Sequence, residues 1–376
     1  MTYFDYNATT PVDKRVLDEM LPYFSGHFGN AASNTHAFGW YAQGSVEKAR
    51  QQVAELIQAE AAEIVFTSGS TEAINMALKG AFEAYRSKGN HIITCQTEHK
   101  AVLDTCAWLE EQGAVVTYLP VDREGRIDLE VLKNSFSDKT ILVAIMAANN
   151  ETGVLQDLEA IGRLCEEKEV IFFSDTTQMA GKLPIDVREL KLGMCCLSAH
   201  KLYGPKGVGA LFVSRKNPRV NLIPLLHGGG HENGRRSGTL NVPGIVGLGK
   251  ACEIARTEFW ENNSHISRVR AYLEHQLLEI PGLIIHGSTR YRLYNTSNLY
   301  FPKLKDGSSL FSHIKTSYAV SLGSACTSAH AEPSHVLQAM GLNKEEAENS
   351  LRFSFGNLNT LKEVEEAAKH ILSLYN

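Results

Sequence analysis

The sequence is short of the features that mark many function classes. Met1-Thr2-Tyr3-Phe4-Asp5 has no basic region leading into an apolar run, so no secretory leader is expected, and no apolar stretch reaches membrane-spanning length. CxxC pairs are missing. The seven cysteines, at 95, 106, 165, 195, 196, 252 and 326, are odd in number and scattered, which suits neither a disulfide framework nor a zinc site and points to a reducing cytoplasm. Surplus charge is also missing: 37 Lys and Arg against 42 Asp and Glu leave a net charge of −5, so no direct nucleic-acid binding is expected, and small molecules and proteins are the expected partners. Repeats, low-complexity segments and long charged runs are absent.

What is there is ordinary globular sequence, 43% hydrophobic and 21% charged, and its 376 residues are enough for two domains. From about residue 45 to 215, helical and strand periodicities alternate, as in a mostly parallel sheet covered by helices on both faces. Ile74, Ala77, Leu78, Ala81, Phe82 and Tyr85 recur at helix spacing. Short apolar runs at 64–66, 91–95, 115–119, 141–146, 170–173, 195–197 and 208–213 read as seven strands of one sheet. Near residue 243 the alternation gives way to amphipathic helical sequence to about 280, then to strand-like runs at 283–286, 297–301 and 351–355, where a smaller α+β domain is expected. The glycine cluster at 227–234 reads as a flexible loop.

In open sheets of this kind ligands sit beyond the carboxyl ends of the strands. The first strand is followed there by Thr67-Ser68-Gly69-Ser70-Thr71, just before a helical run. Such a turn can cap the helix, or its N–H groups, the helix dipole and the hydroxyls of Ser70 and Thr71 can hold a phosphate. Asp175, with Gln178 three residues on, is either a helix cap or a carboxylate that keeps a heterocyclic nitrogen protonated, as pyridoxal phosphate requires. Lys201, in Ser198-Ala199-His200-Lys201, is a Schiff-base candidate if its surroundings keep it nucleophilic, although most lysines are simply solvated. His99 and Asn150 end two further strands. Singly, each has an ordinary structural explanation; together they resemble a pyridoxal-phosphate site.

The last feature is Gly323-Ser324-Ala325-Cys326-Thr327-Ser328. Small polar residues surround Cys326, and Pro333 is placed to open a helix toward Met340 that Gly341 stops, which puts the cysteine on a loop. Cys95, Cys106, Cys165 and Cys252 read as buried and inert, whereas an exposed Cys326 can become a thiolate and attack another sulfur.

These residues resemble the cysteine desulfurases of the NifS/IscS type, in the long-catalytic-loop branch of the class-V aminotransferases. The resemblance runs from Asp5-Tyr6-Asn7-Ala8-Thr9-Thr10-Pro11 to Leu351-Arg352-Phe353-Ser354. Between them it takes in Thr97-Glu98-His99-Lys100, Asn149-Asn150-Glu151-Thr152-Gly153 and Arg236-Ser237-Gly238-Thr239. It implies an aspartate-aminotransferase-type α/β fold, with a large cofactor domain at 14–243 and a small domain made of 1–13 and 244–376. It further implies that Lys201 carries the cofactor, Asp175 binds the pyridine nitrogen, His99 stacks on the ring and Gln178 contacts the phenolic oxygen. Ser70, Thr71, Ser198 and His200 would hold the phosphate, joined by Thr239 from the second subunit of a homodimer. Asn150 and Arg352 would bind the substrate carboxylate, for which a planar guanidinium is suited. No metal is implied.

The implied reaction converts L-cysteine to L-alanine: Lys201 moves the α-proton, His99 assists proton transfer, and Cys326 is left as a persulfide for a protein acceptor. That acceptor could serve iron–sulfur cluster assembly, tRNA thiolation or DNA phosphorothioation. The chain departs from the family at Asn30-Ala31-Ala32-Ser33, which lacks the usual proline, and at Thr176, where alanine is usual. It stops at Asn376 without the C-terminal extension of members serving the iron–sulfur scaffold, which argues against docking by that route. An aminotransferase or β-eliminating lyase would share Lys201 and Asp175 but have no use for Cys326. A non-catalytic sulfur-binding protein would have no need of the full polar set.

Overall fold

The computed structural model describes residues 1–322 and 333–376. The first half of the chain runs β1 (Thr2–Tyr3), α1 (Lys14–Met20), α2 (Pro22–Ser25), α3 (Ala37–Leu56), β2 (Ile64–Thr67), α4 (Ser70–Tyr85), β3 (His91–Cys95), α5 (Lys100–Glu111), β4 (Val115–Leu119), α6 (Leu129–Ser135), β5 (Thr140–Ala144), α7 (Leu158–Glu167) and β6 (Ile171–Asp175). The second half runs β7 (Met194–Ser198), β8 (Gly209–Val213), α8 (Val242–Thr257), α9 (Phe259–Leu277), β9 (Ile284–Ile285), β10 (Thr296–Tyr300), α10 (Leu310–Ile314), β11 (Tyr318–Ala319), α11 (His335–Ala339), α12 (Lys344–Glu348), β12 (Ser350–Ser354) and α13 (Leu361–Tyr375).

Seven strands form one sheet in the order β2-β8-β7-β6-β5-β3-β4, parallel except that β8 runs against both neighbours. They coincide with the seven apolar runs of the sequence, their ends displaced by a residue or two. Because successive strand side chains face opposite ways, Val65 and Ile92 pack with α4 and α5 on one face, while Phe66 and Ile93 pack with α3, α7 and α8 on the other. The carboxyl ends of β2, β3, β5, β6 and β7 therefore share one edge, where the loops converge.

A second core joins Phe4 to α9, β10, β12 and α13, and β1 pairs in parallel with β11, tying the N-terminus to the last third of the chain. The strands β12-β10-β9 form its antiparallel sheet. The expected division at 243/244 falls at the head of α8, whereas the change of core comes one helix later. Val242, Ile245, Leu248 and Cys252 of α8 pack into the large-sheet core, and the apolar face of α9, with Ile266, Val269, Leu273 and Leu277, turns to the second. Helical periodicity tells that a face is buried, but not against which core.

Glu232 anchors the glycine loop to the sheet. Glu232 is buried in a two-pronged pair with Arg50 (Nη1–Oε2 2.7 Å, Nη2–Oε1 2.8 Å). Its Oε2 also accepts the Phe66 N–H at 2.8 Å, covering part of the outer edge of β2. Removing one member of such a pair strands a buried charge, so Glu232→Ala is expected to lose about 3–5 kcal/mol in urea denaturation. A loss below about 1 kcal/mol would show that other contacts hold the edge.

Candidate active site

The turn after β2 is shaped by backbone geometry. Gly69 has φ +151°, a conformation that side chains rarely adopt, and it is the N-cap of α4 without a side-chain cap. Opposite it, a Cβ on Gly209 would lie 2.8 Å from the Gly69 Cα and 2.6 Å from the Leu197 carbonyl oxygen, so only two glycines let the turn sit against the sheet. The first-turn N–H groups of α4 have no carbonyls preceding them in the helix, and the positive end of the helix dipole faces the same way. The Ser70 hydroxyl is 2.5 Å from the Thr177 hydroxyl, linking the turn to the loop after β6.

This edge opens into a cavity of about 670 Å³. Ser70, Thr71, His99, Asn150, Asp175, Gln178, Ser198, His200, Lys201 and Arg352 all line it, although they come from positions up to 282 residues apart (352 − 70). Thr239 is exposed and does not line the cavity of its own chain. Cys326 lies outside the described residues. The helix expected to open at Pro333 starts two residues later: the Ser334 hydroxyl accepts the Leu337 N–H at 3.2 Å and caps α11, and Gly341, at φ +82°, follows its end.

Asp175, the last residue of β6, is buried and accepts hydrogen bonds from the Thr177 N–H at 2.9 Å and the Cys196 thiol at 3.3 Å. The unusual hydroxyl of Thr176 is satisfied by the Cys196 carbonyl at 2.7 Å and adds no unpaired group to the site. Lys201 donates to the Ala8 carbonyl at 2.8 Å and to that of Asn7. His200 pairs through Nδ1 with the Thr9 hydroxyl at 3.1 Å; burial, followed by the charge of Lys201, pulls its imidazolium down to about 4, so the ring is neutral at neutral pH. His99 caps α5, its Nδ1 accepting the Ala101 N–H at 3.0 Å, which places the proton of the neutral ring on Nε2.

Arg352 is buried, with Nη1 on the Asn150 carbonyl at 3.0 Å and Nη2 on Asp5 Oδ1 at 2.6 Å, while its buried Nε has no partner among the described residues. The Asn150 carbonyl also accepts from Asn7 Nδ2 at 3.1 Å.

Several site residues were not singled out from the sequence. Asn7 is the hub: its carbonyl accepts from Lys201 and from Gln178 Nε2, and its side chain bonds Thr296, Asn295 and the Asn150 carbonyl. Burial holds the Glu98 carboxyl well above its usual range, and its Oε1 accepts the Met146 N–H at 2.6 Å. His335 lines the cavity with Nε2 on the Glu98 carbonyl at 3.0 Å, and Glu151 accepts from Ser334. Asn7, Glu98 and Glu151 stand inside the quoted sequence motifs, but nothing local told them from their neighbours.

The six described cysteines are free and buried. Burial pushes the thiols of Cys95, Cys106 and Cys195 up to about 12 and also raises those of Cys165, Cys196 and Cys252. Among the described residues no cluster of three or more His, Cys, Asp and Glu is placed to hold a metal ion, and no helix is long and apolar enough to cross a membrane.

The class-V aminotransferase family model matches residues 2–366. The chain belongs to that family. It is 52% identical over 371 residues to a protein of Colwellia psychrerythraea named cysteine desulfurase IscS, covering 98% of this chain and 91% of the relative. Among solved structures it is similar to a NifS-like protein (TM-score 0.91, 39% identity, 99% and 98% of the two chains). Another is SspA in complex with cysteine (TM-score 0.85, 37% identity, 96% and 100%). The fold is that of pyridoxal-phosphate enzymes of this family, and pyridoxal phosphate is the cofactor.

The donor set fits that group. An open helix terminus beside Ser70, Thr71, Ser198 and neutral His200 suits a phosphate; Asp175 is an ionisable acceptor at the end of a neighbouring strand; Lys201 supplies the amine.

Proposed function

We propose that the protein is a cysteine desulfurase that converts L-cysteine to L-alanine and carries the released sulfur as a persulfide on Cys326. The observation that carries this reading is the single cavity joining Lys201, Asp175, His99 and Arg352, in a chain whose six described cysteines are all buried with raised pKa values. The cysteine bound to SspA supports the choice of substrate. Pyridoxal phosphate, held by Ser70, Thr71, Ser198 and His200 at its phosphate and by Asp175, Gln178 and His99 around its ring, supplies the electron sink for chemistry at the α-carbon.

The side chains do the rest. Arg352 and Asn150 orient the substrate carboxylate, and Lys201 Nζ takes the α-proton. The Cys326 thiolate attacks the substrate sulfur; the S–S bond forms as the C–S bond breaks, and the alanine carbon gains a proton. His99, with its proton on Nε2, is the group for proton transfer near the sulfur. Incubation of the purified enzyme with L-cysteine should give alanine and a protein-bound persulfide in equal amounts before any thiol is added. Alanine without persulfide, or pyruvate in its place, would sink the reading. Arg352→Lys loses the planar fork and should raise KM for cysteine about tenfold in steady-state kinetics.

Two copies form the enzyme in this reading. Phe24, Phe28, Phe38 and Trp40 are all exposed in one sequence segment, with the Phe28 and Phe38 rings 5.4 Å apart, an apolar surface that a second copy would cover. Thr239, away from its own cavity, would then reach the partner's phosphate site. Unpaired buried thiols suit the cytoplasm, and the acceptor is a thiol-bearing protein, one serving iron–sulfur assembly being consistent with the IscS relatives.

A further inference from the structure

Behind Lys201 lies a second cavity, of about 40 Å³, room for roughly three waters. Lys201 lines both this chamber and the active-site cavity. The chamber's other ionisable walls are Tyr6 and Asp13 from the N-terminal segment, Tyr203 beyond Lys201, Tyr294 before β10, and Lys182.

Lys182 has a defined attachment. Its Nζ donates to the Gln178 carbonyl at 3.0 Å and to Gln178 Oε1 at 3.3 Å, and its own carbonyl accepts from Asn263 Nδ2 at 3.2 Å. An ammonium has no lone pair, so only the oxygen of the Gln178 amide can face it. The amide nitrogen is thereby turned to the Asn7 carbonyl, 3.0 Å away, the same carbonyl that accepts from Lys201. Lys182 thus reaches the reacting lysine by two routes: a chain of hydrogen bonds through Gln178 and Asn7, and the repulsion of one cation by another across the chamber.

We propose that Lys182 is a positioning residue of the desulfurase: from the closed side of the site its ammonium fixes the amide of Gln178 and, as a second cation, favours the neutral amine of Lys201 that proton abstraction needs. The inference rests on the desulfurase reading above. The interaction is reciprocal, since burial and then the charge of Lys201 pull the Lys182 ammonium down to about 7. Of the remaining walls only Asp13 carries a negative charge at neutral pH, and it is held by Arg15 at 2.7 Å.

The test compares the wild-type holoenzyme with Lys182→Met and Lys182→Arg by the pH profile of kcat and by the pH dependence of the cofactor absorbance. Without the second cation the Lys201 ammonium loses its proton at higher pH. The acidic limb of Lys182→Met should therefore move up by about one pH unit, with about tenfold less activity at a given pH on that limb. The cofactor band, which senses the Gln178 amide, should change in wavelength or in its own pH dependence, while Lys182→Arg keeps the limb near its wild-type position. If Lys182→Met does not fold, Lys182→Gln, neutral but still able to donate to Gln178, decides the charge effect by the same limb. A limb and band unmoved in the neutral variant would overturn the inference while leaving the desulfurase reading intact. Wild-type enzyme that forms no alanine from cysteine would instead overturn that reading.

Discussion

Lys201→Ala is expected to lose the cofactor absorbance at ~400–430 nm and at least ~10⁴-fold in alanine formation, because in the proposed function Lys201 is both the amine that holds the cofactor and the base that moves the α-proton. Borohydride reduction followed by peptide mass spectrometry should place the pyridoxyl group on Lys201 in the wild type and on no lysine in the variant. Lys182 and Lys206 are the informative controls, since Lys182 lines the chamber behind Lys201 and Lys206 lines the active-site cavity. Labelling of either in the wild type would overturn the assignment. The apo form should also be less stable, because the Ala8 carbonyl loses its donor while that of Asn7 keeps Gln178 Nε2. A penalty of about 1 kcal/mol is expected for one group left unpaired in this way.

Cys326→Ala should lower alanine and persulfide formation by about 10³-fold or more and leave the cofactor band in place, since the lysine chemistry is untouched. No described thiol is suited to substitute. At neutral pH a thiol raised to about 12, as in Cys95, Cys106 and Cys195, is ionised in roughly one molecule in 10⁵, and all six described thiols are buried. The thiolate, not the thiol, is the attacking species, so burial suppresses these cysteines twice over, by access and by ionisation. Desulfuration undiminished in Cys326→Ala would move the sulfur acceptor elsewhere. A variant that also lost the cofactor band would show that the substitution had disturbed the fold.

Much of this architecture was legible in the chain. Strands β2 to β8 stand where apolar runs of three to six residues stand; all but the partly exposed edge strand β4 are buried along their whole length, and a strand buried on both faces has to be apolar nearly throughout. Lys201, Asp175, His99 and Asn150 drew attention because polar side chains immediately after such runs fall on one sheet edge, a consequence of parallel strands that needs no coordinates. Cys326 stood out by its small polar neighbours and by the helix signals at Pro333 and Gly341 that put it on a loop.

Other features depended on contacts that no local pattern encodes. That α8 serves the large sheet and α9 the second core is a matter of which surface each helix meets, and both read alike as amphipathic sequence. Glu232 lay in a run of glycines that suggested mobility, and its burial follows from Arg50, 182 residues away. Asn7 gains its place only when the first residues of the chain fold back over the sheet edge beside Gln178 and Lys201, and the local Lys182–Gln178 contact acquires its meaning from that placement. The ends of the strands, and with them the place of Lys201, follow from the order of apolar and polar residues. The hydrogen-bonded frame around that lysine depends on partners distant in sequence, which only the packed fold brings within about 3 Å.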